Sequence, residues 1–381
     1  MSGPERDAAI TELKFRDPVR ARAMADALHR LMREIGRPRV TLMHVCGSHE
    51  QAIAKYGLRA ILPPSLNVIM GPGCPVCVTD TREVDVGVAL AQQGVHIATY
   101  GDMLRVPGTV LSLADAQAEG GRIHIVYSAD QAVELARRLG EPLVFFATGF
   151  ETTAVATAAI VLRGLPPNLS ILSAHKYILP AMEAVAVTPG LAVEGFVAAG
   201  HAATITGWAA FEPFVQRHGL PVAVAGFEPL DILAALVRLL ELVRSRTPEV
   251  ANVYPRCVTR EGNVRAQAAL WEVFEPAPGR WRGIAEIPGG NLVLRERFHG
   301  VDALKRFTVD ASALSNAPRS ALSEACICGR IMTGIASPPD CPIFGGACTP
   351  DHPVGACMVS TEGTCRIWHQ YGGRPDLGGD A

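Results

Sequence analysis

The sequence predicts an α/β fold with two similar parallel-sheet α/β domains, followed by a small cysteine-rich domain. Short apolar runs alternate with stretches of helical periodicity, which is typical of parallel sheets covered by helices. The alternation repeats at the same coarse spacing in both halves of the region before residue 320. After that point it stops, and cysteine, glycine and proline dominate. We therefore expect one α/β domain over residues 1–139, a second over 140–319 and the cysteine-rich domain over 320–381.

The predicted strands are short apolar runs, and most of them end at Gly, Ser, Cys or Asp. They cover residues 40–45, 66–70, 95–100 and 123–127 in the first half, and 143–147, 169–172, 196–198 and 221–225 in the second. Helical spacing fills the gaps between them, as at 80–93 and 130–139. Because a strand buried on both faces is apolar along its whole length, these segments favour sheets with helices on both faces.

The size and charge of the chain exclude several classes of function. Its 381 residues exceed what one hydrophobic core usually supports, so more than one domain is expected. Charged residues make up 19% and the formal net charge is -2, which gives no electrostatic basis for binding nucleic acid. No apolar run is long enough to predict a membrane span. Residues 1–7 lack the pattern of a secretion signal, so we expect a cytoplasmic protein.

Three cysteines follow the first two predicted strands. Cys46 comes directly after the first strand, and Cys74 and Cys77 follow the second. The carboxyl ends of parallel strands share one edge, so we expect the three thiols to meet there. A helix follows each strand, and the partial positive charge at its N-terminus favours thiolates, which bind metal and exchange disulfides. The alternative for the Cys-x-x-Cys pair is a structural zinc half-site or two buried thiols.

Other polar residues lie near the same predicted edge. His49 can be a ligand, a proton carrier or an orienting residue, or simply a solvent-facing residue at a helix start. Glu50 adds a negative charge next to it. Asp102 follows the third strand, where it can position a ligand or pair with Arg105. Glu362 lies in the cysteine-rich segment and can approach the edge from there. We include His49, Asp102 and Glu362 among the candidate catalytic residues.

The C-terminal segment holds more cysteines than one metal site needs. In a reducing compartment, such groups more often bind metal than form structural disulfides. Zinc sites usually show paired Cys-x-x-Cys motifs, which this segment lacks, so the spacing favours a 4Fe-4S cluster. That cluster takes four thiolates, and the surplus pair suggests a redox-active disulfide or a spare ligand. Which four of the six bind is left open: Cys326, Cys328, Cys341, Cys348, Cys357 and Cys365.

Cys257 stands apart from both groups of cysteines. An isolated cysteine in an intracellular protein is usually a small apolar residue of the core. We therefore expect Cys257 to be a packed thiol without a functional role.

Taken together, these motifs resemble the HypD family of NiFe-hydrogenase maturation factors over nearly the whole chain. Three of the motifs read VCGSH at 45–49, GPGCPVCVT at 71–79 and GFETT at 149–153. Others lie at 101–108, 225–229, 326–329, 355–360 and 362–365. They are long and occur in one order, so chance agreement is a poor explanation.

The resemblance implies a role, partners and cofactors. Members of the family act with a small HypC-type chaperone as the scaffold on which the Fe(CN)2CO unit is assembled. A HypE-type protein that carries the cyanide group docks on that complex. By this likeness Cys46 is the central ligand of the Fe(II), shared with a cysteine of the chaperone. The pair Cys74 and Cys77 serves redox or metal-holding duties, and the C-terminal cysteines hold the 4Fe-4S cluster of a small cysteine-rich iron–sulfur domain.

These considerations lead to one hypothesis and its alternatives. Cys46 holds the iron, Cys74 and Cys77 cycle between dithiol and disulfide, and the cluster supplies electrons to that pair. Whether the chain is itself an enzyme stays open. One alternative is a stand-alone iron–sulfur-dependent thiol/disulfide oxidoreductase, or a dehydratase-like enzyme whose cluster is bound by the same three cysteines. A zinc-stabilised interaction protein is the third possibility.

Overall fold

The computed structural model of the protein describes residues 16–373. Residues 1–7, considered above for a secretion signal, lie outside this range, as do the outer limits of the first and third predicted domains. Within the described range, no helix combines the length and the apolar character needed to cross a bilayer.

The strands follow the predicted ones closely up to residue 225. In chain order they are β1 (Val40–His44), β2 (Leu66–Met70), β3 (His96–Thr99), β4 (Ile123–Ile125), β5 (Leu143–Gly149), β6 (Leu169–His175), β7 (Gly195–Ala199), β8 (Val222–Ala225), β9 (Val250–Asn252), β10 (Phe274–Trp281) and β11 (Ala285–Leu294). The last three were not predicted. Prolines and alternating exposed residues in β10 make its pattern unlike that of a buried strand.

Helices fill the connections and part of the C-terminal segment. They are α1 (Pro18–Ile35), α2 (Gly47–Lys55), α3 (Pro75–Val78), α4 (Thr81–Gln92), α5 (Leu113–Ala118), α6 (Ala129–Leu139), α7 (Glu151–Leu162), α8 (Ile178–Ala186), α9 (Gly200–Thr206), α10 (Glu212–His218), α11 (Pro229–Ser245), α12 (Val264–Val273), α13 (Ala303–Arg306), α14 (Ser312–Ser315), α15 (Ala321–Ala325), α16 (Cys328–Met332), α17 (Ala356–Val359) and α18 (Thr364–Tyr371). Shorter 3-10 turns cover Leu58–Ile61, Gly101–Arg105, Trp208–Phe211, Glu296–Val301 and Pro338–Asp340.

Two parallel sheets and one antiparallel hairpin organise these elements. The first sheet has the order β2-β1-β7-β8-β9, and the second has the order β4-β3-β5-β6. Every pairing within both sheets is parallel, whereas β10 and β11 pair antiparallel. The α/β class with parallel sheets is therefore confirmed.

The grouping of strands differs from the predicted one. The chain builds two strands of the first sheet, leaves to build the whole second sheet from β3 to β6, and returns with β7. The expected boundary at 139/140 thus falls inside the second sheet, between β4 and β5, so the prediction that each half of the chain forms its own sheet is wrong. The buried apolar pattern of a central strand carries no information about its neighbour.

Local sequence explains why the elements at the site begin where they do. Asp80 accepts a hydrogen bond from Arg82 N, and Glu83 Oε2 accepts one from Asp80 N at 2.9 Å, so α4 starts with a capping box. Every residue of β5 is buried, as a central parallel strand requires.

The described part of the cysteine-rich segment, residues 320–373, has no separate core. Its cysteines share one buried apolar cluster with the end of β1, the start of α3 and the inner face of β7. This shared cluster brings the C-terminal segment to the edge where Cys46 lies.

Candidate functional site

The three cysteines of the first half meet at one edge, as predicted. β1 and β2 are neighbours in register, and Gly47 N donates a hydrogen bond to Gly73 O at 3.1 Å. A side chain on Gly73 would overlap the backbone nitrogen of Cys46. The loop that carries Cys74 therefore lies directly against the turn that carries Cys46.

Substitution of Gly73 should show how much this contact contributes. In Gly73→Ala the new methyl group meets backbone atoms, which cannot rotate away, so we expect a loss of about 1–3 kcal/mol in the free energy of unfolding. Gly300→Ala is the matched control, because a Cβ at Gly300 has no neighbour within 4 Å. Urea unfolding of both variants measures the difference. Equal stability of the two variants would contradict the proposed close packing.

Cys74 and Cys77 are joined by a disulfide. Cys74 precedes α3, and Cys77 N donates a hydrogen bond to Cys74 Sγ at 3.2 Å. A disulfide sulfur is not a thiolate, so in this redox state the pair does not offer iron ligands. Its predicted cycle between dithiol and disulfide, and its binding of iron, stay predictions.

Cys46 is a buried thiol at the N-terminus of α2. The predicted position is confirmed, but the predicted preference for thiolate is wrong for the metal-free chain. Burial raises the pKa of Cys46 to about 12, and the nearby Glu362 carboxyl acts in the same direction. Hydrogen bonds from the backbone of His49 and Ser48 lower the pKa but do not outweigh burial. Because a metal ion displaces the thiol proton, bound iron would reverse this preference.

His49 is fully buried, so its placement at a solvent-facing helix start is excluded. Its Nε2 donates to Gly226 O at 3.0 Å, and its ring stacks on Phe227 with centroids 5.0 Å apart. Burial, followed by the charge of His44, lowers the pKa of His49 to about 3, so the ring is neutral. With Nε2 as the donor, Nδ1 is a buried acceptor that has no hydrogen-bond partner among the described residues.

Glu50 is the centre of a buried polar group that links the first and last helices of the site. Its Oε2 lies 2.8 Å from His44 Nε2 and 2.8 Å from Arg59 Nη2. Its Oε1 accepts from Trp368 Nε1 at 2.5 Å. Burial alone would raise the pKa of Glu50, but Arg59 and His44 together hold it well below its usual range. A buried carboxylate with these partners fixes α18 against α2.

Glu362 approaches the edge from the C-terminal segment, as predicted. Ser48 Oγ donates to Glu362 Oε1 at 3.3 Å, and the backbone of Glu362 lies against Gly47, where a Cβ would approach it to 2.5 Å. Burial raises the pKa of Glu362.

Asp102 reaches this region by a different route from the one expected. It follows β3, which belongs to the second sheet, so it does not share the edge of Cys46. Its Oδ2 instead accepts from Ser360 Oγ at 3.1 Å, close in sequence to Glu362. The guanidinium of Arg105, considered above as a partner of Asp102, donates instead to Pro350 O at 3.4 Å.

The C-terminal cysteines form one buried group, with Cys326 partly exposed. Cys328 and Cys365 are hydrogen-bonded to the sulfur of Cys357, whose pKa is raised by these bonds and by burial. Cys326 is in turn hydrogen-bonded to Cys328. Hydrogen bonds with Cys328 and Cys357 lower the pKa of Cys365 to about 6, although burial and the charges of Cys326 and Cys348 act in the opposite direction. Cys341 is buried in the same cluster.

The residues of this group fit an iron–sulfur cluster by their chemistry. Thiolates are its ligands, and a side chain on Gly355 would overlap the sulfur of Cys328. A buried guanidinium nitrogen, Arg282 Nη2, lies nearby without a hydrogen-bond partner in the described chain. In this structure the thiols contact one another. Across residues 16–373, no group of three or more His, Cys, Asp or Glu side chains is arranged to hold a single metal ion.

The disulfide lies next to this group. Cys77 Sγ is 4.0 Å from Ala356 O, and the next residue along the chain is Cys357. The disulfide therefore lies beside the backbone of the segment that carries Cys357. Sequence analysis did not identify this contact, because it depends on how α17 packs on α3.

The burial of two further residues was not foreseen from the sequence. Cys257 is exposed, so its assignment as a packed thiol is wrong. Glu151, in the GFETT motif, is fully buried: its Oε1 accepts from Ile178 N at 2.9 Å, while its Oε2 has no partner among the residues described. Burial raises the pKa of Glu151 from 4.5 to about 7.

This raised pKa predicts a pH dependence of stability. The folded state binds the Glu151 proton more tightly than the unfolded state, so stability from this group is complete below pH 4.5 and declines as the pH rises to about 7. We expect a loss of up to about 3 kcal/mol across this interval. In Glu151→Gln this part of the slope should vanish, whereas the exposed-site control Glu134→Gln should keep it. Urea unfolding from pH 4 to 8 measures both, and parallel curves for all three proteins would contradict the assignment.

Comparison with known proteins identifies the family. The family model for HypD, described as hydrogenase formation hypA family, matches residues 20–372. A putative hydrogenase expression/formation protein of Methanocaldococcus jannaschii is 42% identical over 350 residues, which cover 91% of this chain and 95% of the relative. The hydrogenase maturation factor HypD of Azotobacter vinelandii is 40% identical over 374 residues, covering 94% and 96%. That of Cupriavidus necator is 37% identical over 380 residues, covering 96% and 99%. The chain therefore belongs to the HypD family of hydrogenase maturation factors.

Proposed function

We propose that the chain is the scaffold and redox protein on which the Fe(CN)2CO unit of the NiFe-hydrogenase active site is assembled. It acts with a small HypC-type chaperone and receives cyanide from a HypE-type protein. One observation carries the proposal: Cys46, the Cys74–Cys77 disulfide and the C-terminal cysteines lie in a single buried cluster. Such an arrangement suits a protein that holds iron at one sulfur and changes the redox state of others beside it.

Cys46 is the proposed anchor of the iron, which is the cargo of the reaction. A soft thiolate suits low-spin ferrous iron that also carries cyanide and carbonyl. Formation of the iron–sulfur bond releases the thiol proton, and Glu362, whose pKa is raised by burial, is the nearby group suited to take it up. The free Nδ1 of His49 is suited to accept a hydrogen bond from a group brought to the iron.

The Cys74–Cys77 pair is the proposed redox partner of the site. Its reduction to two thiols consumes two electrons and two protons, and the electrons come from an external low-potential one-electron donor. A 4Fe-4S cluster, when bound by four of the C-terminal cysteines, stores such electrons singly. Cys357 follows Ala356, whose carbonyl oxygen lies 4.0 Å from Cys77 Sγ, and it is hydrogen-bonded to Cys328, which supports these two as the surplus pair.

The test is anaerobic co-purification with a HypC-type chaperone, followed by infrared and Mössbauer spectroscopy. We expect cyanide and carbonyl bands in the complex, with one cubane cluster and one mononuclear low-spin iron. A complex that forms but contains neither the bands nor the mononuclear iron would contradict the scaffold role.

One observation favours a second candidate, a stand-alone thiol/disulfide oxidoreductase. The disulfide lies beside a group of free thiols, which is the arrangement that such an enzyme needs. Under this alternative the isolated chain would reduce a disulfide substrate with electrons from a reduced dye. It would do so without the small chaperone and without mononuclear iron. Activity that depends on Cys74 and Cys77 under these conditions would favour it.

A further inference from the structure

Arg282 lies at the tip of the β10–β11 hairpin, between the disulfide and the C-terminal cysteines. Its backbone N donates to Val78 O at 2.9 Å, and its Nε donates to Thr79 O at 2.7 Å. These two acceptors follow Cys77 directly in the chain. The hairpin tip is thus tied to the segment that carries the redox pair.

The other side of the hairpin tip contacts the cysteine-rich segment. A Cβ on Gly283 would lie 2.8 Å from Gly329 Cα, so the two backbones are in direct contact. Gly329 is the second residue of α16, which begins at Cys328. The charge of Arg282 is accordingly close enough to interact with the sulfurs of Cys328 and Cys357.

Arg282 is half-buried, and its guanidinium is incompletely paired. Its Nη2 is shielded from solvent and makes no hydrogen bond within the described chain. Burial lowers its pKa, while Asp80 and Glu83 are carboxylates near enough to oppose this. A buried donor without a partner costs about 1–3 kcal/mol, so its retention calls for an explanation. The sulfurs of Cys328 and Cys357 are the nearby groups that become more negative when they or a bound cluster are reduced.

We propose that Arg282 is a positioning residue of the electron path: its charge stabilises the reduced form of the C-terminal sulfur group, and its Nη2–H, which has no partner in this structure, donates to a sulfur of Cys328 or Cys357 when the group is reduced. This inference rests on the proposed function, because it assumes that the group accepts electrons. Each electron added to the group adds one negative charge, and the fixed guanidinium offsets it in a region of low dielectric. Arg282 itself is neither oxidised nor reduced.

The test compares three variants of the full-length protein, prepared anaerobically. Arg282→Gln removes the charge, Arg282→Lys keeps the charge but loses the fork of donors, and Arg319→Gln is the control. Arg319 is also a cation near Cys326, but it is exposed and already donates to Ser323 O at 2.8 Å. Two readouts are independent of maturation activity. Dye titration followed by electron paramagnetic resonance gives the ratio of reduced to oxidised cluster, and differential alkylation with mass spectrometry gives the reduced fraction of Cys328 and Cys357.

We expect Arg282→Gln to shift at least one of these ratios tenfold or more toward the oxidised form. Arg282→Lys should recover part of the shift, and Arg319→Gln should stay within twofold of wild type. Loss of cluster in Arg282→Gln but not in Arg282→Lys would also support the proposal. A folded, loaded Arg282→Gln within twofold of wild type in both readouts would overturn it. So would unfolding of both Arg282 variants while the control folds, since Arg282 would then be structural only.

Failure of the proposed function would look different. Wild-type protein that takes up no cluster, and whose C-terminal cysteines do not change redox state with the dye, would refute the electron path itself. A normal wild-type titration with an unshifted Arg282→Gln would refute only the role of Arg282.

Discussion

Cys46→Ala is expected to abolish the cyanide and carbonyl infrared bands of the complex with the small chaperone while leaving the absorption of the C-terminal cluster intact. The sulfur of Cys46 is the proposed anchor of the iron, and the alanine methyl group cannot coordinate a metal. The six C-terminal cysteines are untouched by the change. Because Cys46 is buried in a shared core, the smaller alanine leaves a modest cavity, and folding should survive.

A matched control separates the role of Cys46 from the loss of any thiol. Cys257→Ala removes an exposed cysteine that lies apart from both groups, and its complex should keep the infrared bands. Infrared spectra, iron content and visible absorption of the three anaerobic complexes provide the measurement. If the bands persist in Cys46→Ala, another residue anchors the iron.

Glu50→Ala should cost about 3–5 kcal/mol in the free energy of unfolding. The side chain is fully buried, and its removal leaves the guanidinium of Arg59, which is 7% exposed, without its carboxylate. The indole of Trp368 and the ring of His44 lose an acceptor at the same time. A buried charge or donor without a partner carries the full cost of its desolvation.

The control for this prediction is a carboxylate of similar connectivity at the surface. Glu141→Ala also removes an ion pair with an arginine and a contact with a histidine, but Glu141 is 57% exposed. We expect a loss below about 1 kcal/mol there. Urea unfolding at pH 7 measures both variants. Similar losses in the two would show that the Glu50 group contributes no more than a surface pair.

Much of the site was predictable because it depends on local rules. A strand, a turn with cysteine and a following helix place Cys46 at a sheet edge, and adjacency of the first two strands brings Cys74 and Cys77 beside it. The approach of Glu362 also follows from the sequence, since it lies among cysteines that must gather. These inferences need only the handedness and direction of parallel connections.

The remaining features depend on contacts that no periodic pattern encodes. The return of the chain to the first sheet at β7, after it has built the whole second sheet, depends on how the apolar faces of the strands pack against the helices. The raised pKa of Cys46 depends on burial by a segment more than three hundred residues away in sequence. Arg282 lies in a hairpin whose strands read as loop, so only its contacts with Val78 and Thr79 reveal it.

The chain forms the whole second sheet between β2 and β7 of the first sheet, and this order has a consequence for folding during synthesis. As the protein leaves the ribosome, β1 can pair with β2 early, but its other edge stays open until Ala199 has emerged. An unpaired strand edge is a template for wrong association. The nascent chain therefore carries Cys46 at an unfinished sheet edge until β7 has been made, and Glu362, which lies against Gly47 and Ser48, follows more than three hundred residues after Cys46.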